Sequence, residues 1–191
     1  MNRYQYKELT IEVLDEPTYK YDSADNNFNY NKHYFSGDGE KYQISKHGIK
    51  ILRDDLIIDS CIVIASAGAT GVHQNSSLLD GDQLVVCCCD TVFCLTLPDL
   101  NLKWKTRADE ATCFQIFKHQ NDYIVHGELQ ITKLNKDGQI KWEFSGADIF
   151  VSTDNESAFQ IESDGILLTD FAKTKYKIDF GGKLIFDDYK R

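Results

Sequence analysis

Cys113, His126 and the adjacent carboxylates Asp109 and Glu110 are the residue types from which a nucleophile, its base and an orienting acid are built. An imidazole that takes the thiol proton makes the sulfur nucleophilic, and a carboxylate behind the ring fixes its tautomer. His126-Gly127-Glu128 reads as a hairpin tip, with Asp109, Glu110, Thr112 and Cys113 one strand earlier in the same meander. That placement could gather the polar groups at one end of a sheet. It would also gather metal donors, but no Cys-x-x-Cys or His-x-His pairing accompanies them, so no metal is assigned. The structural alternative is plain: a strand cysteine is more often a small buried hydrophobe, and a histidine at a turn can serve the backbone.

Ser66-Ala-Gly-Ala-Thr-Gly71 has the glycine content of a phosphate-cradling loop. It lacks the Lys-Ser/Thr ending, and no helix follows to supply a dipole, so it reads as a connector. With His73, Gln74 and Asn75 it is the loop where a small ligand would bind. Glu110 and Glu128 are the corresponding candidates for contact with a protein. No cofactor is implied.

The bulk properties limit the partners. The 191 residues carry 30 Asp and Glu against 21 Lys and Arg, a formal charge of −9, which repels phosphate backbones and anionic membrane surfaces. Nucleic acid and membrane are excluded as expected partners. Met1 to Leu9 has no apolar stretch of the signal-peptide kind, and no run approaches the roughly 18 residues needed to span a bilayer. Cys87, Cys88 and Cys89 are consecutive, and neighbours on a strand face opposite ways, which suits buried free thiols. A cytoplasmic protein is the expectation.

The elements that must position these residues are strands. Hydrophobic residues at 42%, with 10 Tyr, 11 Phe and only two prolines, favour β-structure. Leu9, Ile11 and Val13 alternate with polar residues. Asp22 to Lys32 reads as a surface loop pinned by Phe28 and Tyr30. Tyr42 to Ser45 and Ile49 to Leu52 read as two short strands around a His47-Gly48 turn, and Ile57 to Ala65 as a strand buried on both faces. Leu84 to Leu97 forms a hairpin, and Leu102 to Thr106 an outer strand with Trp104 inward.

Thr112 to Lys118, Tyr123 to His126, Leu129 to Leu134 and Ile140 to Ser145 then repeat that plan. A last unit is built from Ile149-Phe-Val-Ser152, Phe159 to Glu162, Ile166 to Thr169, Tyr176 to Ile178 and Leu184 to Phe186. Arg107 to Ala111 and Asp170 to Lys175 alone leave room for a helical turn, and the short connections imply antiparallel pairing.

Trp104, Trp142 and Phe186 recur roughly 40 residues apart, the second and third after the turns Asn135-Lys-Asp-Gly138 and Asp179-Phe-Gly-Gly182. This predicts an all-β single domain: residues 1–56 as N-terminal strands and a polar loop, and 57–191 as tandem antiparallel four-stranded meanders, an incomplete β-propeller, with a β-sandwich as the alternative. The three aromatics are expected to share one packing position in the core.

Over Ile57 to Phe186 the pattern resembles the blade repeat of quinoprotein-type and related β-propellers, which carry a small-residue and Gly-Trp docking motif. This chain keeps the turn and the Trp104 and Trp142 positions, with Phe186 in the third place. The resemblance implies architecture; the family's cofactor and metal residues have no counterparts here. Material for about three and a half blades leaves sheet edges open, so the N-terminal segment covers one, the sheets fold into a sandwich, or the protein is an edge-paired dimer and not a monomer. The function expected is a non-enzymatic binding or scaffold module contacting another protein through loops or edges, including an acidic inhibitor or immunity-type protein. The alternative is a small-molecule-binding or hydrolytic enzyme using Cys113 and His126.

Overall fold

The computed structural model describes residues 1–152 and 156–189, and among these it contains strands and no helix. No helix is therefore long and apolar enough to cross a membrane. The first sheet holds β1 (Asn2–Tyr6), β2 (Leu9–Asp15), β3 (Lys32–Ser36), β4 (Ser45–Arg53) and β5 (Leu56–Ala65) in the order β1-β2-β4-β5-β3. Three meanders succeed it. They are β6 (Ser77–Asp80) to β7 (Gln83–Cys88), β8 (Thr91–Thr96) and β9 (Leu102–Arg107); β10 (Cys113–His119) to β11 (Asp122–Gly127), β12 (Ile131–Asn135) and β13 (Ile140–Phe144); and β14 (Phe159–Ile161) to β15 (Ile166–Thr169), β16 (Lys175–Ile178) and β17 (Leu184–Asp187).

The sheets stack in chain order through three separate apolar layers. Ile11, Ile49, Val63, Leu84 and Phe93 fill the first layer, Val85, Cys87, Cys113, Ile116 and Val125 the second, and Ile124, Phe150, Ile166 and Leu168 the third. Strand alternation assigns these faces: Val85 and Cys87 enter the second layer while Leu84, Val86 and Cys88 enter the first. All six cysteines are free and buried. This is a succession of four stacked sheets, as in propeller blades, and not a two-sheet sandwich.

One cross-strand row lies on the same side of each meander, and in the second and third sheets it faces the next sheet. In the second sheet it is Leu78, Val85, Cys94 and Trp104; in the third, Phe117, Ile124, Lys133 and Trp142; in the fourth, Gln160, Leu167, Lys177 and Phe186. A bulge sits at the same place in each outer strand, skipping Lys103, Lys141 and Ile185. The register equivalence of the three aromatics is thus real, but their surroundings differ. Trp104 lies on the Gly138 turn of the next sheet and Trp142 on the Gly182 turn, whereas Phe186 meets no such turn among the described residues and is 52% exposed. The expectation that Phe186 belongs to the core fails, because no described residue packs over it as the Gly138 and Gly182 turns pack over the two indoles.

The first sheet departs most from expectation. Lys46, His47 and Gly48 lie inside the continuous strand β4, not at a turn. Gly48 is there because the Tyr30 ring crosses it: a Cβ would stand 1.9 Å from the Tyr30 hydroxyl oxygen. β3 pairs with β5 in parallel, where short connections implied antiparallel pairing throughout. The chain between β2 and β3 makes this possible by wrapping the outward face, burying Tyr19 and Tyr30 against Ile62 and Ile64 with Phe28 and Phe35 beside them. β3 then occupies the outer edge, and the Tyr34 hydroxyl donates to the Leu100 carbonyl at 2.8 Å.

Further differences are local. β5 belongs to the first sheet, and its Leu56, Ile57 and Ile58 are exposed because β3 reaches only Cys61 to Ala65. Ile149 to Ser152 is not a strand; Phe150 instead anchors a loop, its amide donating to Glu128 and its carbonyl accepting from His126. Arg107 to Ala111 and Asp170 to Lys175 form no helical turn.

Candidate functional site

Cys113 opens β10 opposite Gly127, and a bulge at Phe114 brings Gln115 opposite His126. The bulge separates the expected dyad. Cys113 turns into the layer between the second and third sheets, fully buried, and burial pushes its thiol well above the usual range. His126 faces the other way, stacked on Phe159 at 4.9 Å in the layer shared with the fourth sheet. The nucleophile and the base lie on opposite faces of one sheet.

Both nitrogens of His126 are engaged. Nε2 lies 3.0 Å from the Phe150 carbonyl oxygen, and Nδ1 lies 3.1 Å from Oε1 of the Gln115 amide, whose O and N atoms are exchanged by a half-turn. Burial lowers the ring to about 4, against a smaller rise from the Phe150 contact, so the imidazole is neutral near pH 7. A neutral ring carries one proton. The carbonyl takes it from Nε2, and Gln115 must present its NH2 group to Nδ1. This leaves no nitrogen for a substrate.

Asp109 is not an orienter of His126. Its Oδ1 accepts the amides of Ala111 (2.6 Å) and Thr112 (2.9 Å), and its Oδ2 those of Leu129 (2.9 Å) and Gln130 (3.0 Å). The carboxylate therefore ties the loop before β10 to the loop before β12. Burial raises its pKa against the four N–H groups, which favour the charged form. Gly127 permits this approach, since a Cβ there would stand 2.2 Å from Oδ2. The clamp holds out Glu110 and Leu129, which are exposed, and Glu128, which is half-buried. Neither glutamate has a side-chain partner among the described residues.

The loop after β5 is stitched down rather than loose. The Gly68 amide donates to Ala111, the Thr70 amide to the Ser45 hydroxyl, and the Ile116 amide to the Asn75 carbonyl. His73 and Gln74 are exposed and line a cavity of about 460 Å³ beside Asn2 and Tyr4. His73 also borders a shallow groove of about 310 Å³ with Gln115, His126 and Phe150. The structure thus brings His73 and His126 to one groove, a juxtaposition with no sign in the residue pattern. Among the described residues no group of three or more His, Cys, Asp or Glu could hold a metal ion.

Several carboxylates in or beside turns are spent on partners within the chain. Asp80 accepts Tyr123 at 2.8 Å and pairs with Lys118; Asp90 meets Arg107 at 2.9 Å; Asp122 meets Lys141 at 2.8 Å and Lys133 at 3.5 Å. A lysine inside the β12 strand pattern was the visible sign of the last pair.

No protein-family profile matches the chain, and no curated protein sequence is significantly similar to it. Solved structures are similar in shape. BamB from Moraxella catarrhalis, a β-propeller protein, superposes with a TM-score of 0.54 at 8% identity, over 76% of this chain and 49% of BamB. The computationally designed Ika8 protein gives 0.49 at 13% identity over 77% and 46%, and the AfRom2 CNH domain 0.48 at 12% over 79% and 50%. The chain spans about half the length of these structures. The fold is all-β, built of propeller-type blades.

Proposed function

We propose that this chain is a non-enzymatic module that binds another protein, through the rim that Asp109 holds together. The observation that carries this reading is the pairing of a buried carboxylate clamp with the unpartnered glutamates Glu110 and Glu128 around exposed Leu129. A rigid acidic rim with an apolar centre suits a basic partner surface, because complementary charge steers encounter and an exposed apolar group gains by burial. An inhibitor or immunity-type protein is one form of such a module.

The test is cross-linking of the full chain in its native extract, comparing wild type with Glu110→Lys/Glu128→Lys. Loss of one specific cross-linked protein in the variant, with the fold intact by circular dichroism, supports the reading. Identical cross-link patterns, or turnover of a small molecule that His126→Gln abolishes, overturn it.

A further inference from the structure

The outer strands β9, β13 and β17 occupy the same edge of their sheets and share the same bulge, yet only the first two add a charged side chain at the bulge position. β9 carries Lys103, Lys105 and Arg107 along its edge, and β13 carries Lys141 and Glu143. Charges of this kind are how β-proteins keep an unpaired edge from recruiting another strand. In β17 the bulge position held by Lys103 and Lys141 is taken by Ile185, and the strand reads Leu184-Ile-Phe-Asp187. Leu184, Ile185 and Phe186 are 41%, 56% and 52% exposed.

We propose that β17 is the contact between two copies of this chain, pairing antiparallel with β17 of a second copy about a two-fold axis through Ile185. The order of residues chooses this occupant. Lys183-Leu-Ile-Phe-Asp187 is self-complementary: with Ile185 facing Ile185 of the second copy, Leu184 faces Phe186 and Lys183 faces Asp187, twice. Opposite charges directly across an antiparallel pair attract, and an apolar centre between them is shielded on both sides. Any other register sets these charges out of step. On the first sheet Tyr19, Phe28, Tyr30 and Phe35 cover the outward face, and the exposed end of β5, Leu56-Ile-Ile58, is flanked by Asp54, Asp55 and Asp59, like charges that give it no self-complementary order. A two-fold pairing uses the same edge on both copies and leaves none free, so a closed pair results. This contact is independent of the acidic rim.

Sedimentation velocity of the full chain across the micromolar range tests it, with circular dichroism and thermal melts confirming that each variant is folded. Wild type is expected to reach the mass of a dimer. Ile185→Lys, which restores the charge found at the two equivalent positions, is expected to weaken association at least about tenfold. Lys183→Asp and Asp187→Lys alone should each weaken it, and Lys183→Asp/Asp187→Lys together should recover it. Ile57→Lys, on the other exposed apolar strand end, should change nothing.

A monomer at every concentration, or an unchanged dimer with Ile185→Lys, would overturn the proposal. So would dissociation by Ile57→Lys, and failure of the double reversal to recover association would overturn the two-fold register. A monomeric wild type whose rim cross-link is lost in Ile185→Lys would give this edge to a different protein, and would equally sink the second-copy assignment.

Discussion

Trp142 packs on Gly182 so closely that a Cβ there would stand 2.6 Å from the indole Cδ2, while the Trp142 Nε1–H donates to the Phe180 carbonyl at 3.2 Å. Trp104 repeats the arrangement on Gly138, with Nε1–H donating to the Lys136 carbonyl at 3.1 Å. Gly138 and Gly182 have φ of 79° and 81°, a conformation that L side chains avoid.

Gly182→Ala is therefore expected to lose about 2–4 kcal/mol, combining left-handed strain with displacement of a packed indole. Gly181→Ala, one residue away, meets only the Asp179 carboxylate and has no positive φ, so it should cost less. Urea midpoints of the two variants decide the matter; equal losses would contradict the docking account.

Asp109→Ala removes the acceptor of four backbone amides, leaving one buried and three part-buried donors unpaired at a cost of about 2–4 kcal/mol. Hydrogen exchange should accelerate at Ala111, Thr112, Leu129 and Gln130 before the rest of the sheet. Uniform acceleration would mean that the clamp is not local.

His126 should stay neutral down to about pH 4 in the folded chain, while the unfolded histidine titrates near 6.5. Between these values the unfolded state binds the proton that the folded state refuses. The neutral ring's stabilisation is thus complete above about pH 6.5 and is lost as pH falls toward 4, by up to about 3 kcal/mol. The difference in urea midpoint between pH 7.5 and pH 4.5 should shrink in His126→Gln. A nuclear magnetic resonance titration placing the ring near 6.5 would refute this.

The six buried thiols should resist a water-soluble disulfide reagent in the native chain and react together on unfolding. Cys89, lowered to about 7 first of all by its contact with Cys88, is the most acidic, yet it is fully buried. Rapid native labelling of Cys113 would reopen a catalytic role for it.

The meanders were legible because their signals are local: alternation, short turns and an aromatic recurring after Asn135-Lys-Asp-Gly138. The first sheet was not, since β3 pairs with β5 across the chain that forms β4, and no short window encodes that pairing. Gly48 misled for a related reason. Its backbone freedom suggested a turn, but the cause was a tyrosine eighteen residues earlier in the chain. At the site, residue types predicted a dyad that one bulge at Phe114 undoes, because a single extra residue redirects a side chain to the other face. Asp109 stands out by its type and position, but its role depends on four amides from two loops.

The indole contacts all run in one direction, each aromatic reaching from a sheet already made to a turn encoded later. These indole contacts fasten each sheet to its neighbour, so a lesion at Gly138 should loosen the third and fourth sheets before the first two. During synthesis, Trp104 and Trp142 would each wait exposed for about one repeat length before their turn emerges. Those intervals are when the nascent chain is most open to mispairing.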